Sequence, residues 1–446
     1  MKRLLRTLAG PALALGCLAA RADAQDEERA YDPLAGIDQD GRIERPQLPA
    51  DLPNPDRWRY TPPGRIAPGN VLERFLISSF FSPVVFRDED IGTGGGIALT
   101  DIDFRNQDYR EFANVILTYT TEGQQSYGIN WRRWLRHRKL EDGGIVREER
   151  SSLFGGLGYS KTLTRRFFGF GSRTREEDET SYTEELTRVG LGARLSVPDP
   201  GDDLIVTGAL RLERHELDAG HVSSVPSSET VFPGTIAGGD GVDQVWLDLG
   251  LAYDSRDSLH QPYRGLRAGV FAETALLQDD SRFGGLLGID AQAVFPLPPL
   301  FHMGGDASEE NPPTDVLAIG AVIADTHGDL PFYSLPSLGG SGSLRGYIDN
   351  RFTDRAAAHA SLEYRFAVVP RGFAFTPTVR VERVGLALFY DVGTVAEGIE
   401  DLSDGKVRDS IGIGLRLSFA REAAFRIDYG VSDEGGNLTI RYGNAF

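Results

Sequence analysis

One arginine is the residue in this sequence best placed to do chemistry. Arg345 lies in Ser343-Leu344-Arg345-Gly346-Tyr347, late in a polar stretch that contains Gly339, Gly340 and Gly342. Loops of this length with little structure of their own are usually functional or disordered. The glycines reach backbone conformations closed to other residues, so the chain can fold back on itself here. A guanidinium carried into a closed space needs an acidic partner, because an unpaired buried charge is costly. The following segment supplies one. In Ser361-Leu362-Glu363-Tyr364-Arg365-Phe366 the residue types alternate, and Glu363 falls on the polar face. The chemistry this points to is charge pairing, with no bond made or broken.

No motif for a reaction accompanies it. The sequence has no Gly-x-Ser-x-Gly elbow, no His-Glu-x-x-His and no phosphate-binding loop. Gly92-Thr93-Gly94-Gly95-Gly96 leads into a strand rather than a helix, which removes a dinucleotide site. The histidines are scattered: His302 lies in a Pro-rich turn, and His359 is a polar inner-face residue. Asp38-Gln39-Asp40-Gly41 lacks the closing glutamate of a calcium loop and is expected to be a turn. Glu176-Glu177-Asp178-Glu179 is expected at a solvated loop tip. We expect no catalytic residue, no cofactor and no metal.

The elements that position Arg345 begin after an unusual N-terminus. Lys2, Arg3 and Arg6 precede the apolar run Leu8 to Ala20, and Ala22-Asp23-Ala24 is a small-x-small cleavage site. This predicts a signal peptide over residues 1–24, too short to span a membrane as a helix. The only cysteine, Cys17, lies inside it. Lipoprotein cleavage before Cys17 is the weaker alternative, because Ala14 stands where a larger aliphatic residue is expected. Loss of Cys17 with the signal leaves no disulfide and no thiolate metal site. The net charge is −18, from 65 acidic and 47 basic residues. That balance argues against nucleic acid as a partner. Residues 25–74 hold Pro33, Pro46, Pro49, Pro53, Pro55, Pro62, Pro63 and Pro68 with few apolar residues. They are predicted to form an extended, disordered periplasmic tail.

Residues 75–446 alternate. Val245, Leu247, Leu249, Leu251 and Tyr253 oppose Trp246, Asp248, Gly250, Ala252 and Asp254. Ile411, Ile413, Leu415, Leu417 and Phe419 oppose Ser410, Gly412, Gly414, Arg416 and Ser418. An apolar face of this kind is the core of a soluble sandwich or the lipid face of a barrel. The signal peptide, the length and the charged inner positions Asp254, Glu363, Asp391, Arg416 and Asp428 favour an all-β fold, a transmembrane antiparallel β-barrel. The pattern predicts sixteen strands, the first near 75–86, weakened by Pro83, and the last over 437–446. With the N-terminus periplasmic, loops at 161–181, 216–243 and 327–355 fall outside. The turns at 136–149 and 297–313 are longer than that asymmetry expects. The last strand places Leu438, Ile440, Tyr442 and Phe446 on one face.

Ser343-Leu344-Arg345-Gly346-Tyr347 resembles the loop signature of the BamA/TamA family of outer-membrane proteins, the bacterial surface antigen superfamily. Thr118 to Gln124, Phe167-Phe168-Gly169-Phe170-Gly171 and Tyr253-Asp254-Ser255-Arg256-Asp257 with Pro262 and Gly265 are similar to further family segments, in the family's order. The resemblance covers residues 75–446. It implies a barrel in the cell outer membrane with the long extracellular loop folded into its lumen. It also implies that Arg345, flanked by Gly346 and Tyr347, pairs there with Glu363 and with Asp391 of Phe389-Tyr390-Asp391-Val392-Gly393. Alternation independently points both carboxylates inward. Tyr442 and the terminal Phe446 resemble the targeting signal read by the outer-membrane assembly machinery. The family's periplasmic POTRA domains have no counterpart in residues 25–74, which are too short and too Pro-rich for one. The implied function is assistance to protein or lipid insertion into, or transport across, the outer membrane. The implied partners are outer-membrane lipids, the assembly machinery during biogenesis, and an unfolded outer-membrane or secreted protein client. The alternative is a passive channel or structural barrel without assembly activity.

Overall fold

A strand whose side chains alternate apolar and polar can bury neither face alone, so it must join a sheet with two different surroundings. From Ser79 onward the chain obeys that rule and closes into one barrel. The computed structural model describes residues 31–442, apart from Pro33, Pro68 and segments 89–90, 234–240, 280–282, 375–379 and 420–422. The expected signal peptide at 1–24 and the terminal Phe446 lie outside the described residues.

The barrel strands are β1 (Ser79–Asp88), β2 (Gly92–Asp101), β3 (Glu111–Thr120), β4 (Gln125–Trp134), β5 (Ser152–Phe167) and β6 (Thr180–Val197). They continue with β7 (Leu204–Ala219), β8 (Asp243–Asp254), β9 (Gly265–Gln278), β10 (Gly284–Leu297) and β11 (Asp315–Gly328). The last five are β12 (Ala356–Val369), β13 (Arg380–Ala396), β14 (Arg408–Phe419), β15 (Ala423–Ser432) and β16 (Gly435–Tyr442). Each pairs antiparallel with its neighbour in chain order, and the two-residue strand Phe373–Ala374 pairs additionally with β13. Among the described residues no helix is long and apolar enough to cross a membrane.

The two faces separate as the alternation predicts. Leu362, Leu388, Tyr390, Ile411 and Ile413 are exposed on the outer wall, whereas Glu363, Asp391, Ser410 and Asp428 are buried inside. Long loops gather at one end of the barrel and the opposite end carries, among the described residues, the connections at 102–110, 135–151, 198–203, 255–264, 298–314 and 370–374. We call these the loop end and the turn end. Several strands overrun the expected loops. β5 reaches Phe167 and β6 begins at Thr180, so the loop expected over 161–181 is shorter than its sequence suggested. The lumen is filled from the loop end by segment 329–355, whose Leu338, Leu344, Tyr347 and Phe352 form a buried apolar cluster with Ala357 and Val395 of the wall.

Two expectations are corrected. Residues 75–78 belong to a helix, Val71–Ser78, and not to the first strand. Asn70 caps it, accepting from the Leu72 and Glu73 amides at 2.9 and 3.2 Å, while the Glu73 carboxylate accepts from the Asn70 amide at 2.7 Å. This reciprocal cap fixes the helix start. The barrel therefore begins at Ser79. Nor is the described part of residues 25–74 a disordered tail. Trp58–Thr61 forms a strand paired antiparallel with Ile145–Glu148, which in turn pairs with His137–Lys139. The long turn at 136–149 is thus one small sheet completed by the N-terminal segment, and the long turn at 297–313 holds the same segment through Arg42 and Asp306. Asp38 does form the expected turn, accepting from the Asp40 and Arg42 amides at 2.9 and 2.7 Å.

Candidate functional site

The long loop can reach the barrel wall only where its backbone is bare. Gly340 has φ 76°, a left-handed conformation that costs glycine nothing. Gly346 passes so close to the wall that a Cβ there would lie 2.6 Å from Ser410 Cβ and 2.7 Å from the Val431 carbonyl carbon. From the other side, a Cβ on Gly430 would meet the Arg345 carbonyl carbon at 2.6 Å. The pair of glycines lets loop and sheet touch backbone to backbone.

This approach delivers Arg345 to β12 and β13. Its Nε and Nη2 donate to the two oxygens of Asp391, both at 2.8 Å, in a bidentate fork. Nη1 donates to Glu363 Oε2 at 2.7 Å and Nη2 to Ser361 Oγ at 3.0 Å. The Arg345 amide adds a bond to Asp391 at 3.2 Å. The guanidinium carbon sits 3.5 Å from the centre of the Phe389 ring, a cation–π contact that closes the remaining face. Arg345 is 1 % exposed, Glu363 0 % and Asp391 1 %. Register explains the convergence: Ser361 lies opposite Asp391 and Glu363 opposite Phe389, so four inward side chains surround one guanidinium.

The lock extends beyond the residues the sequence named. Arg416 on β14 donates to Glu363 at 2.9 Å and to Asp428 on β15 at 2.6 Å. Arg426 donates to Asp428 at 2.8 Å and to the Ser341 carbonyl of the loop at 2.6 Å. Arg365 donates to Glu363 at 2.7 Å. Asp428 also lies 3.5 Å from Arg345. The result is a buried lattice of four guanidiniums and three carboxylates across β12 to β15. Arg345, Glu363 and Asp428 each have three ionic partners, the condition under which buried ions are tolerated.

A second anchor ties the loop to the last hairpin. Arg351 forks onto Glu434 at 2.6 and 2.7 Å, donates to Thr174 Oγ at 2.9 Å, and stacks between Phe168 and Phe352. The Tyr347 hydroxyl donates to Asp433 at 2.6 Å. Asn437 Nδ2 donates to the Tyr347 and Arg345 carbonyls at 2.7 and 3.3 Å. Arg345, Gly346, Tyr347, Glu363 and Asp391, the residues singled out in the sequence, are thus all brought together. Arg351, Glu434 and Asn437 are additions that no local motif marked. Tyr442 lies in β16 opposite Phe425, away from this cluster in the register, and Phe446 lies outside the described residues. Among the described residues no group of histidine, cysteine and carboxylate side chains could hold a metal ion.

The Omp85 superfamily domain matches residues 113–446. The chain belongs to the Omp85 superfamily. Similar solved structures include BamA from Haemophilus ducreyi lacking POTRA domains 1–3, at 16 % identity and a TM-score of 0.47. That match covers 82 % of this chain and 69 % of the other. CdiB from Acinetobacter baumannii matches at 11 % identity and a TM-score of 0.45, covering 82 % of this chain and 58 % of its own. No curated protein sequence matches the chain. For this Omp85 protein the loop-to-wall lock is the feature its geometry presents.

Proposed function

We propose that this Omp85 protein is an outer-membrane barrel that assists the insertion or translocation of protein, or of lipid, and carries out no covalent chemistry. The carrying observation is the Arg345 lock. A loop pinned by a buried bidentate ion pair fixes the lumen and the register of β12 to β15, and Asn437 and Glu434 hand that order on to β16. The last strand is then held from inside the barrel rather than only by its neighbours in the sheet. Its edge, beside β1, is where a client strand would add by main-chain pairing. Pro83 in β1 supports this, because proline within a sheet belongs to an edge or to a weakened pairing.

Site-specific photocrosslinking in cells tests the proposal, with probes at Phe81 on β1 and Ile440 on β16. Capture of nascent outer-membrane or secreted protein supports it. Crosslinks confined to the two terminal strands would instead favour a passive or structural barrel.

A further inference from the structure

The N-terminal segment runs as a strap along the turn end. Starting at Asp32, it meets the connections at 370–374, 298–314, 255–264, 198–203, 135–151 and 102–110. Arg380 donates to the Gly41 carbonyl at 3.3 Å. The Arg45 amide donates to the Ser308 carbonyl at 2.7 Å and the Glu310 amide to the Ile43 carbonyl at 2.9 Å. Arg57 donates to Asp203 at 2.9 Å and to the Ser255 carbonyl at 3.1 Å. Tyr60 reaches Asp142 at 2.7 Å, and Tyr109 reaches the Arg65 carbonyl at 2.7 Å.

At two of these stations the strap is held by its own main chain. Ile43–Arg45 bridges to Ser308–Glu310, and Trp58–Thr61 adds a strand to Ile145–Glu148. Main-chain pairing of this kind accepts any extended segment, with side-chain pockets refining the choice. Pro53, Pro55, Pro62 and Pro63 bracket the added strand and limit it to four residues, because proline cannot donate to a ladder. The turn also has contacts of its own that do not involve the strap. Arg147 stacks 3.7 Å from the Trp134 ring, His137 bonds the Asp108 carbonyl at 2.8 Å, and Glu148 accepts from the Arg150 and Ser151 amides at 2.6 and 2.9 Å. Beside the added strand lies a cavity of about 660 Å³, lined among others by Trp58, Arg59, Arg150 and Tyr263, with room for side chains of an occupant.

We propose that the strand Ile145–Glu148 is a docking edge for an extended polypeptide, and that Trp58–Thr61 occupies it in cis as a replaceable stand-in. This rests on the protein-client reading above: the incoming segment would be an unfolded stretch of client on the periplasmic side.

The test uses the full chain in lipid nanodiscs and a fluorescent peptide with the sequence of residues 52–63. Asp51→Cys and Arg138→Cys, with Cys17→Ser, allow a short bismaleimide to tether the strap where these side chains now bond at 2.6 Å. Arg57→Ala loosens it, with Asp51→Ala as a second loosening variant should the first fail to fold. The expected result is peptide binding at least ten-fold tighter to the loosened protein than to the tethered one, with slowed amide exchange at 145–148. A peptide N-methylated at alternate amides should lose that binding. Equal binding to tethered and loosened protein, no binding to either, or full binding of the N-methylated peptide overturns the proposal. Because the readout needs no assembly activity, docking without client capture at Phe81 and Ile440 would sink the assembly reading alone. Capture without docking would sink only this one.

Discussion

At the loop end, the charges that hold segment 337–351 are out of water; at the turn end, some of those that hold the strap are in it. Arg345, Glu363 and Asp391 are each 1 % exposed or less. In the strap, the pairs Arg42–Asp306 and Arg138–Asp51 have side chains 35 %/64 % and 38 %/69 % exposed. Exposed pairs contribute ~0–1 kcal/mol each and are screened by salt. Breaking a buried pair by removing one partner costs about 3–5 kcal/mol, because the other charge is left without compensation. The same residue types, arginine and aspartate, therefore make a fixture at one end and a releasable contact at the other. What differs is desolvation and the number of partners per charge.

The largest effect expected is at the lock. Arg345→Ala leaves Glu363 and Asp391 facing each other's surroundings without their shared cation, a loss of about 3–5 kcal/mol. Limited proteolysis should cut the 337–351 segment far faster in this variant, and single-channel recordings should show larger and more frequent openings than the parent. Unchanged cleavage and conductance would make the lattice decorative.

Glu434→Gln should act less, by roughly 1.5–3 kcal/mol, the usual range for a hydrogen bond to a charged group. It removes the charge under Arg351 and should loosen the hairpin tip at 432–435 while leaving exchange at 361–363 slow. Asn437→Ala should cost about 1 kcal/mol and appear only as faster exchange over 345–348 and in β16. Simultaneous loss of protection at Glu363 in either variant would mean that the two anchors are one cooperative unit.

The smallest effects belong to the strap and should need no mutation. Raising salt to ~1 M shortens the Debye length to about 3 Å and should hasten proteolysis within 38–57, with no change in the lumen loop. Acid should act in the same direction. Hydrogen bonds from Ser308 and from Arg42 hold the Asp306 carboxyl at about 2, and the Arg138 bond holds Asp51 below the ordinary carboxylate range. Carboxyls with lowered values stabilise the folded strap fully above about pH 4 and lose that contribution as pH falls toward 2. Strap cleavage that ignores both salt and acid would place its anchorage in the main-chain pairing alone.

The lock was largely legible in the sequence, and the strap was not. Glu363 and Asp391 could be placed inside because Leu362, Leu388 and Tyr390 beside them had to face out, and Arg345 stood in a recognisable loop. Arg416 and Asp428 were legible as inner-face residues, yet not as members of the lock. Their meeting depends on register, with Gly414 opposite Asp428 and Arg416 opposite Arg426, and sequence alternation fixes the face without fixing the register. Glu434 and Asn437 were hidden for a related reason: their partners lie some 80 to 90 positions earlier in the chain, in a loop without periodicity. The strap carries so many prolines and so few apolar residues that it has no pattern to read. Its structure comes from the turns it lies on, and the only signal was that 136–149 and 297–313 were too long for turns with nothing to hold.

Amide hydrogen exchange of the full chain in nanodiscs, followed by mass spectrometry, compares the two ends in one experiment. The account predicts that 339–347 exchanges on the timescale of global unfolding, while 43–61 exchanges much sooner and accelerates further in high salt. A strap as protected as the lumen loop, or a lumen loop that exchanges first, would contradict it.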